Sequence, residues 1–264
     1  MPMLSWFKKK EVDAQSYPEY MLLGLRYEQN GNYQKAIEAY KQAIKINPDI
    51  DDVWFQVGHC YDSLGRYQEA IESYKQFIRI KPDLANAHYF LGIAYCKICR
   101  HQDAIEAFNQ AIGIKQDFAE AHKYLGFAYF NLGRYQDAIE AYKQAIRIKP
   151  DFAEAYSSLG VAYGCLGRYE DLAVESFKQA IKINPDYADV HYNLGNAYSK
   201  LGRWQEAMEA FKQAIRINPD YAWAHYSLGN AYLITGDKSS ALEEYKILKT
   251  LDDECANKLF NLSL

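Results

Sequence analysis

A chain of 264 residues with a formal net charge of −4, its Lys, Arg, Asp and Glu mixed along the whole length, carries no basic stripe of the kind that condenses on phosphates, which argues against nucleic acid as a main partner. Five cysteines, an odd number scattered over the chain, read as the reduced thiols of a cytoplasmic protein and not as a disulfide framework. No stretch approaches the roughly 18 apolar residues that span a bilayer, so no stable membrane insertion is expected.

Residues 1–16 form an N-terminal tail. Its start, "MPMLSWFKKKE", has too short an apolar run, with its charges on the wrong side, for a secretory signal. Trp6 and Phe7 beside Lys8, Lys9 and Lys10 suit a mobile or self-packed tail, one that fills a groove of the same chain, or weak contact with an anionic surface at about 1 kcal/mol per lysine.

From Tyr17 onward the chain repeats itself. Gly24, Gly58, Gly92, Gly126, Gly160, Gly195 and Gly229 fall 34 residues apart, with one gap of 35 before Gly195. Gly31, Gly65, Gly133, Gly167, Gly202 and Gly236 follow seven residues behind. Each unit splits at the second glycine into two stretches with apolar residues at helical spacing. In one unit His122, Leu125, Gly126 and Tyr129 mark the first helix, and Ala138, Tyr142 and Ala145 the second. A glycine inside a helix costs about 1 kcal/mol against alanine, so seven of them imply a partner helix that crosses closely. Ala36, Ala70, Ala104, Ala138, Ala207 and Ala241 are the expected small facing residues. Pro48, Pro82, Pro150, Pro185 and Pro219 are expected to stop the second helices. The aspartates after them, Asp49, Asp83, Asp151, Asp186 and Asp220, are expected to cap the next helix.

The pattern W-x2-L-G-x2-Y, then A-x3-F, then P, over 34 residues resembles the tetratricopeptide repeat. Trp54, Val57, Gly58, Tyr61, Ala70, Tyr74, Phe77 and Pro82 fill it in one copy, and Tyr156, Leu159, Gly160, Tyr163, Ala173, Phe177 and Pro185 in another. Seven copies are delimited at 17–50, 51–84, 85–118, 119–152, 153–187, 188–221 and 222–255, and 256–264 forms a C-terminal cap that places Leu259 and Leu262 in the core. The resemblance implies an all-α fold, a right-handed superhelical solenoid of helix-turn-helix repeats whose first helices line a concave groove.

Two copies depart from the pattern. The third has Cys99 for the turn glycine, Gly113 inside the second helix and Gln116 for proline, which predicts a softer junction with the fourth. The fifth reads "GRYEDLAVESFKQAI", one residue longer than "GRYQDAIEAYKQAI". A π-type bulge or a lengthened turn is expected between Arg168 and Ala173.

No catalytic constellation emerges. "CKICRH" contains the C-x-x-C pair Cys96 and Cys99, but zinc needs about four ligands and only a chance approach of His59 and Cys60 would complete them. A thiol or metal protein is thus the weaker alternative, and no cofactor or metal is expected. His88, His122, His191 and His225 all occupy the motif's fourth position, where Tyr20, Trp54 and Tyr156 stand in other copies, and read as packing residues.

Function is therefore expected in the groove. The resemblance assigns it positions 2, 5, 6, 9, 12 and 13 of each first helix. The partner-facing candidates are Phe55, Tyr89, Phe90, Ile93, Lys123, Tyr124, Phe127 and Phe130 in an aromatic first half, and Tyr192, Asn193, Asn196, Trp223, Tyr226 and Asn230 in an amide-richer second half. Aromatic rings that a core does not require suggest anchors for a protein or peptide partner. The bland alternative is that the scaffold buries them itself. The carboxylate clamp with which some relatives hold chaperone tails is incomplete, since Phe127 stands where Asn is needed beside Lys123, followed by Ser158 and Asp189. The expectation is a non-enzymatic interaction scaffold; assembly of several copies through the end faces is compatible with it.

Overall fold

The structure, a computed structural model, describes residues 17–47 and 51–262, the side chains of residues 51, 52, 170, 171 and 262 excepted. The expectations placed on Trp6, Phe7, Pro48, Asp49 and the side chain of Leu262 lie outside it. Every described element is a helix, and the chain divides into two compact units after Leu132.

The first unit contains α1 (17–29), α2 (Tyr33–Ile46), α3 (Asp51–Ser63), α4 (Tyr67–Ile80), α5 (Ala85–Lys97), α6 (His101–Ile114) and α7 (Ala119–Asn131). Turns of three or four residues force consecutive helices to run antiparallel, and each packs on its sequence neighbours. The periodicity explains the burial: α4 buries Ala70, Ile71, Ser73, Tyr74 and Phe77, one stripe of a 3.6-residue helix. The second unit holds α8 (Tyr135–Ile148), α9 (Ala153–Cys165), a π-helical turn (Tyr169–Ala173) continuing into α10 (Val174–Ile183), then α11 (Ala188–Lys200), α12 (Trp204–Ile217), α13 (Ala222–Thr235), α14 (Lys238–Leu251) and α15 (Asp253–Leu262).

The interior glycines are explained by rings, and here the expectation of facing alanines is corrected. A Cβ built on Gly58 would lie 2.6 Å from the Tyr74 ring, on Gly92 2.5 Å from Phe108, on Gly160 2.6 Å from Phe177 and on Gly195 2.5 Å from Phe211. The second helix drives an aromatic side chain flat against the first helix's backbone, and only hydrogen fits. The alanines are buried, but they are not what excludes the methyl group.

The turn glycines serve conformation. Gly31, Gly65, Gly133, Gly167 and Gly202 have φ of +71 or +72° and Gly236 +87°, and the amide after Gly65 closes back on the helix, Arg66 N–H to Tyr61 C=O at 2.9 Å. Cys99 makes the same turn, with Arg100 N–H donating to Tyr95 C=O at 2.9 Å, at a φ of +58°. A side chain there costs about 1 to 2 kcal/mol. Cys99→Gly is therefore expected to raise stability by about 1 kcal/mol, read as a higher denaturation midpoint; an unchanged or lower midpoint would contradict strain at this turn.

Two further expectations are corrected. With Gln116 in place of proline, α6 still ends at Ile114, as α4 ends at Ile80 and α8 at Ile148, so proline marks the stop without being required for it. The aspartates do not cap: the N-caps are Leu84, Phe152, Tyr187 and Tyr221, one residue later, with no side-chain bond. The inter-repeat turns are tied down by the fourth-position histidines instead. Nε2 of His88 lies 2.8 Å from the Pro82 carbonyl, and those of His191 and His225 lie 2.9 Å from the carbonyls of Pro185 and Pro219. A carbonyl can only accept, so Nε2 carries the hydrogen in each.

The bulge expected in the fifth copy is present. Ala173 N–H donates to Arg168 C=O at 3.1 Å and Val174 N–H to Tyr169 C=O, both five residues back. This absorbs the extra residue and returns Phe177 to its place against Gly160.

The recurring phrase of Arg, then Tyr, Trp or His, then any residue, then Glu or Asp has its own reason. The Arg66, Arg100 and Arg203 guanidiniums stand 4.7, 4.9 and 4.7 Å from the ring centroids of Tyr61, Tyr95 and Tyr198. Each also bonds the carboxylate three residues on, Glu69, Asp103 or Glu206. Lys41 and Lys75 of the preceding copies also reach Tyr61 and Tyr95, at 5.4 and 5.8 Å from the ring centroids. Exposed pairs of this kind contribute little singly; Lys41 and Lys75 each link one hairpin to the next.

The end of the chain departs from the repeat. α15 starts at Asp253, earlier than the expected cap, and inserts Leu259, 2% exposed, against Gly229, where the other copies place a ring. Tyr245, the ring displaced, packs on Phe260 at 5.8 Å.

Candidate functional site

In the first unit the predicted groove residues lie on the first helices α3, α5 and α7. Their rings form one continuous file. Phe55 is 5.4 Å from Phe90 and 5.4 Å from Phe77 between centroids, and Phe90 is 5.3 Å from Tyr89. Tyr89 is 5.7 Å from Tyr124 and 4.9 Å from Phe118, and Tyr124 is 6.5 Å from Phe127. The second-helix rings Tyr74 and Phe108 underlie the file, Tyr74 at 5.7 Å from Phe55 and Phe108 at 6.0 Å from Tyr124.

The geometry thus divides the predicted anchors. Phe55, Tyr89, Phe90, Ile93, Tyr124 and Phe130 are half-buried, so part of each is spent on the scaffold, and burial pushes the Tyr89 phenol well above its ordinary pKa and keeps it a hydrogen-bond donor. Phe127 remains 43% exposed. The Lys123 ammonium lies 4.4 Å from the Tyr124 ring, a cation–π contact that fixes the lysine along the file. A cavity of about 470 Å³ opens beside Phe55, lined also by Phe77, Leu84, Asn86 and Ile114.

In the second unit the predicted residues fall on α11 and α13. Tyr192 packs on Phe211 at 5.9 Å and on Tyr221 at 5.1 Å, and the Tyr221 hydroxyl donates to Asp189 at 2.8 Å. Asn193, Asn196 and Asn230 are half-buried. Trp223 is 47% exposed, with Tyr226 at 5.9 Å and the Lys258 ammonium at 5.3 Å from its ring.

Sequence reasoning missed a polar network on α1–α4. Glu28 accepts a hydrogen bond from Tyr40 at 2.7 Å and faces His59 Nδ1 at 2.9 Å. Buried beside it, the Cys60 thiol is pushed up to about 12 by desolvation, then by the Glu28 charge. The available signal was the pairing of an acid at one position with tyrosine twelve residues later, as in Glu28 with Tyr40 and Asp62 with Tyr74.

The C-x-x-C pair offers no reactive thiolate at its first member: burial, with Cys99 adding to it, pushes the Cys96 thiol up to about 12. All five cysteines are free. Among the described residues no three His, Cys, Asp or Glu side chains are grouped to hold a metal ion, and no described helix is long and apolar enough to cross a membrane.

Comparison with known proteins returns the same architecture throughout. A family model described as TPR repeat matches residues 128–167, 165–202 and 195–236, and two described as tetratricopeptide repeat match 21–85 and 63–126. The crystal structure of MamA protein is similar at 36% identity over 67% of this chain and 96% of that one, with a TM-score of 0.62. A tetratricopeptide repeat protein from Parabacteroides merdae matches at 18% identity over 94% of this chain and 99% of that one, TM-score 0.72. YrrB, described as a TPR protein with an unusual peptide-binding site, matches at 22% identity over 71% and 96%, TM-score 0.58. No curated protein matches the chain.

Proposed function

Because the chain belongs to the tetratricopeptide repeat family, an all-α solenoid that generally mediates protein–protein interactions, we propose that it is a non-enzymatic scaffold holding a partner's helix or extended segment against its first-helix face. The observation that carries this reading is the file of rings over α3, α5 and α7, which ends in an exposed phenylalanine. A core needs apolar residues beneath the helices, and Tyr74 and Phe108 already supply them. Tyr89, Phe90, Tyr124 and Phe127 add a second layer whose outer surface stays open. Three partner side chains buried against it at about 1.5 to 3 kcal/mol each, less the ordering cost of association, leave roughly micromolar binding. Asn193, Asn196 and Asn230 in the second unit suit the backbone of an extended partner, since an amide both donates and accepts. Free thiols support action in a reducing compartment such as the cytoplasm.

The test is the double substitution Phe90→Ala, Phe127→Ala in the full chain. The variant is expected to keep its helical circular dichroism and to lose the partners recovered on the wild-type protein, by quantitative mass spectrometry. Recovery of the same partners at the same abundance would remove the ring file from the binding surface.

A further inference from the structure

The pair one repeat beyond Glu28 and Tyr40 is left open. Tyr40 bonds Glu28 at 2.7 Å. Tyr74 and Asp62 stand 34 residues on from each, and aspartate is one methylene shorter. The Tyr74 hydroxyl and Asp62 Oδ1 are both buried and both without a hydrogen-bond partner among the described residues, although Tyr74 is only 1% exposed. Where the ring position holds phenylalanine, as at Phe108 and Phe211, the acid is replaced by Cys96 and Ser199. The fourth and seventh copies keep the tyrosine, Tyr142 and Tyr245, but have Phe130 and Leu233 in place of the acid, so the pairing of hydroxyl and acid is confined to the first two copies.

A buried hydroxyl and carboxylate oxygen left unpaired both cost stability, and the pair has a second feature that points to a ligand. Its tyrosine lies under the partner-facing rings: Phe55 is 5.7 Å from Tyr74, and Phe90 stacks over it at 6.2 Å with 26° between ring planes. Phe90 is half-buried, so the ring that stacks on Tyr74 is itself within reach of a docked segment. The chemistry assembled there is a carboxylate, a hydroxyl and two aromatic faces, which together suit a cation. We propose that Asp62 and the Tyr74 hydroxyl receive a basic side chain, lysine or arginine, carried by the polypeptide segment that docks on Phe55 and Phe90. This rests on the scaffold reading and assigns its partner a charge. Desolvation holds the Asp62 carboxyl above its ordinary pKa against the opposing pull of Lys97 and His59, and an incoming cation relieves that cost.

The probe is a displayed library of random dodecapeptides selected on the full-length wild type, on Asp62→Asn, on Tyr74→Phe and on Phe90→Ala, Phe127→Ala. Wild-type selection is expected to enrich one lysine or arginine flanked by apolar residues. Replacing that residue by citrulline or norleucine in a synthetic peptide should weaken binding about ten-fold on the wild type and leave it unchanged on Asp62→Asn. Tyr74→Phe should melt no lower than the wild type, because it removes an unpaired buried hydroxyl; lower melting would mean the hydroxyl is satisfied within the fold and overturn the proposal. Apolar peptides without a basic preference, or an arginine effect that survives Asp62→Asn, would overturn it while leaving the groove intact. Peptides that bind the double phenylalanine variant as well as the wild type, or no enrichment at all, would sink the groove reading along with it.

Discussion

Two single substitutions at glycines of the α5–α6 hairpin are expected to move stability in opposite directions. Gly92→Val should cost about 3 kcal/mol, and Gly113→Ala should add about 1. At Gly92 a first added carbon already falls 2.5 Å from Phe108 Cε1 and 2.8 Å from Cδ1 and Cζ. Phe108 is fully buried and has Tyr89 at 6.1 Å and Tyr124 at 6.0 Å against it, so it has nowhere to retreat. Overpacking of this order costs about 1 to 3 kcal/mol, and the branches of valine add to it. A Cβ at Gly113 meets nothing within 4 Å, which leaves only the helix-propensity gain of about 1 kcal/mol. Each kcal/mol moves the melting temperature of a chain this size by about 2 to 4 °C. Thermal melts of the two variants check the signs, with hydrogen exchange in α5 and α6 locating the effect. A Gly92 variant as stable as the wild type would mean that the ring is free to swing away.

Glu244→Ala is expected to cost about 3 kcal/mol near pH 6, and progressively less as the pH rises. His225 is 4% exposed. Its Nε2 faces the Pro219 carbonyl at 2.9 Å and its Nδ1 the Glu244 carboxylate at 2.6 Å. A ring with an acceptor at both nitrogens is satisfied only as the imidazolium. Burial pulls the pKa down, but the Glu244 hydrogen bond, the Pro219 carbonyl and the charges of Glu244 and Asp220 raise it further, so it ends above the ordinary histidine value. The folded-state pKa is therefore higher than the unfolded one. The pair's contribution is full below the unfolded value of about 6.5 and is lost as the pH climbs through the raised folded value. Removing one partner of a buried pair costs about 3 to 5 kcal/mol. Melts of wild type and Glu244→Ala between pH 6 and 9 should show the gap between them closing toward alkaline pH. A gap that is constant over that range would mean that His225 stays in one protonation state throughout.

The groove candidates illustrate how far a sequence pattern reaches. Register along a helix assigns a face, so Phe55, Tyr89, Phe90, Tyr124 and Phe127 could be placed on a common stripe before any coordinates. Register does not say how deeply a neighbour sinks into that stripe. Phe127 stays open and Tyr89 is wedged between Phe90, Phe118 and Tyr124 because separation between helices, a sum over many side chains, sets the depth.

The amino-acid order by itself determined what is local and periodic: a 34-residue unit of two helices divided at the second glycine, and a bulge or longer turn between Arg168 and Ala173 to take up the one inserted residue, since a backbone ladder has only a few ways to absorb an extra peptide. What faces each interior glycine was decided by tertiary packing, which brings a ring sixteen or seventeen residues away onto a bare Cα, as Tyr74 onto Gly58 and Phe177 onto Gly160. It also seated Leu259 on Gly229, paired His225 with Glu244, and left Asp62 Oδ1 and the Tyr74 hydroxyl without hydrogen-bond partners among the described residues. Those outcomes depend on distances between elements, to within a single carbon–carbon bond, and spacing along the chain carries no such measure.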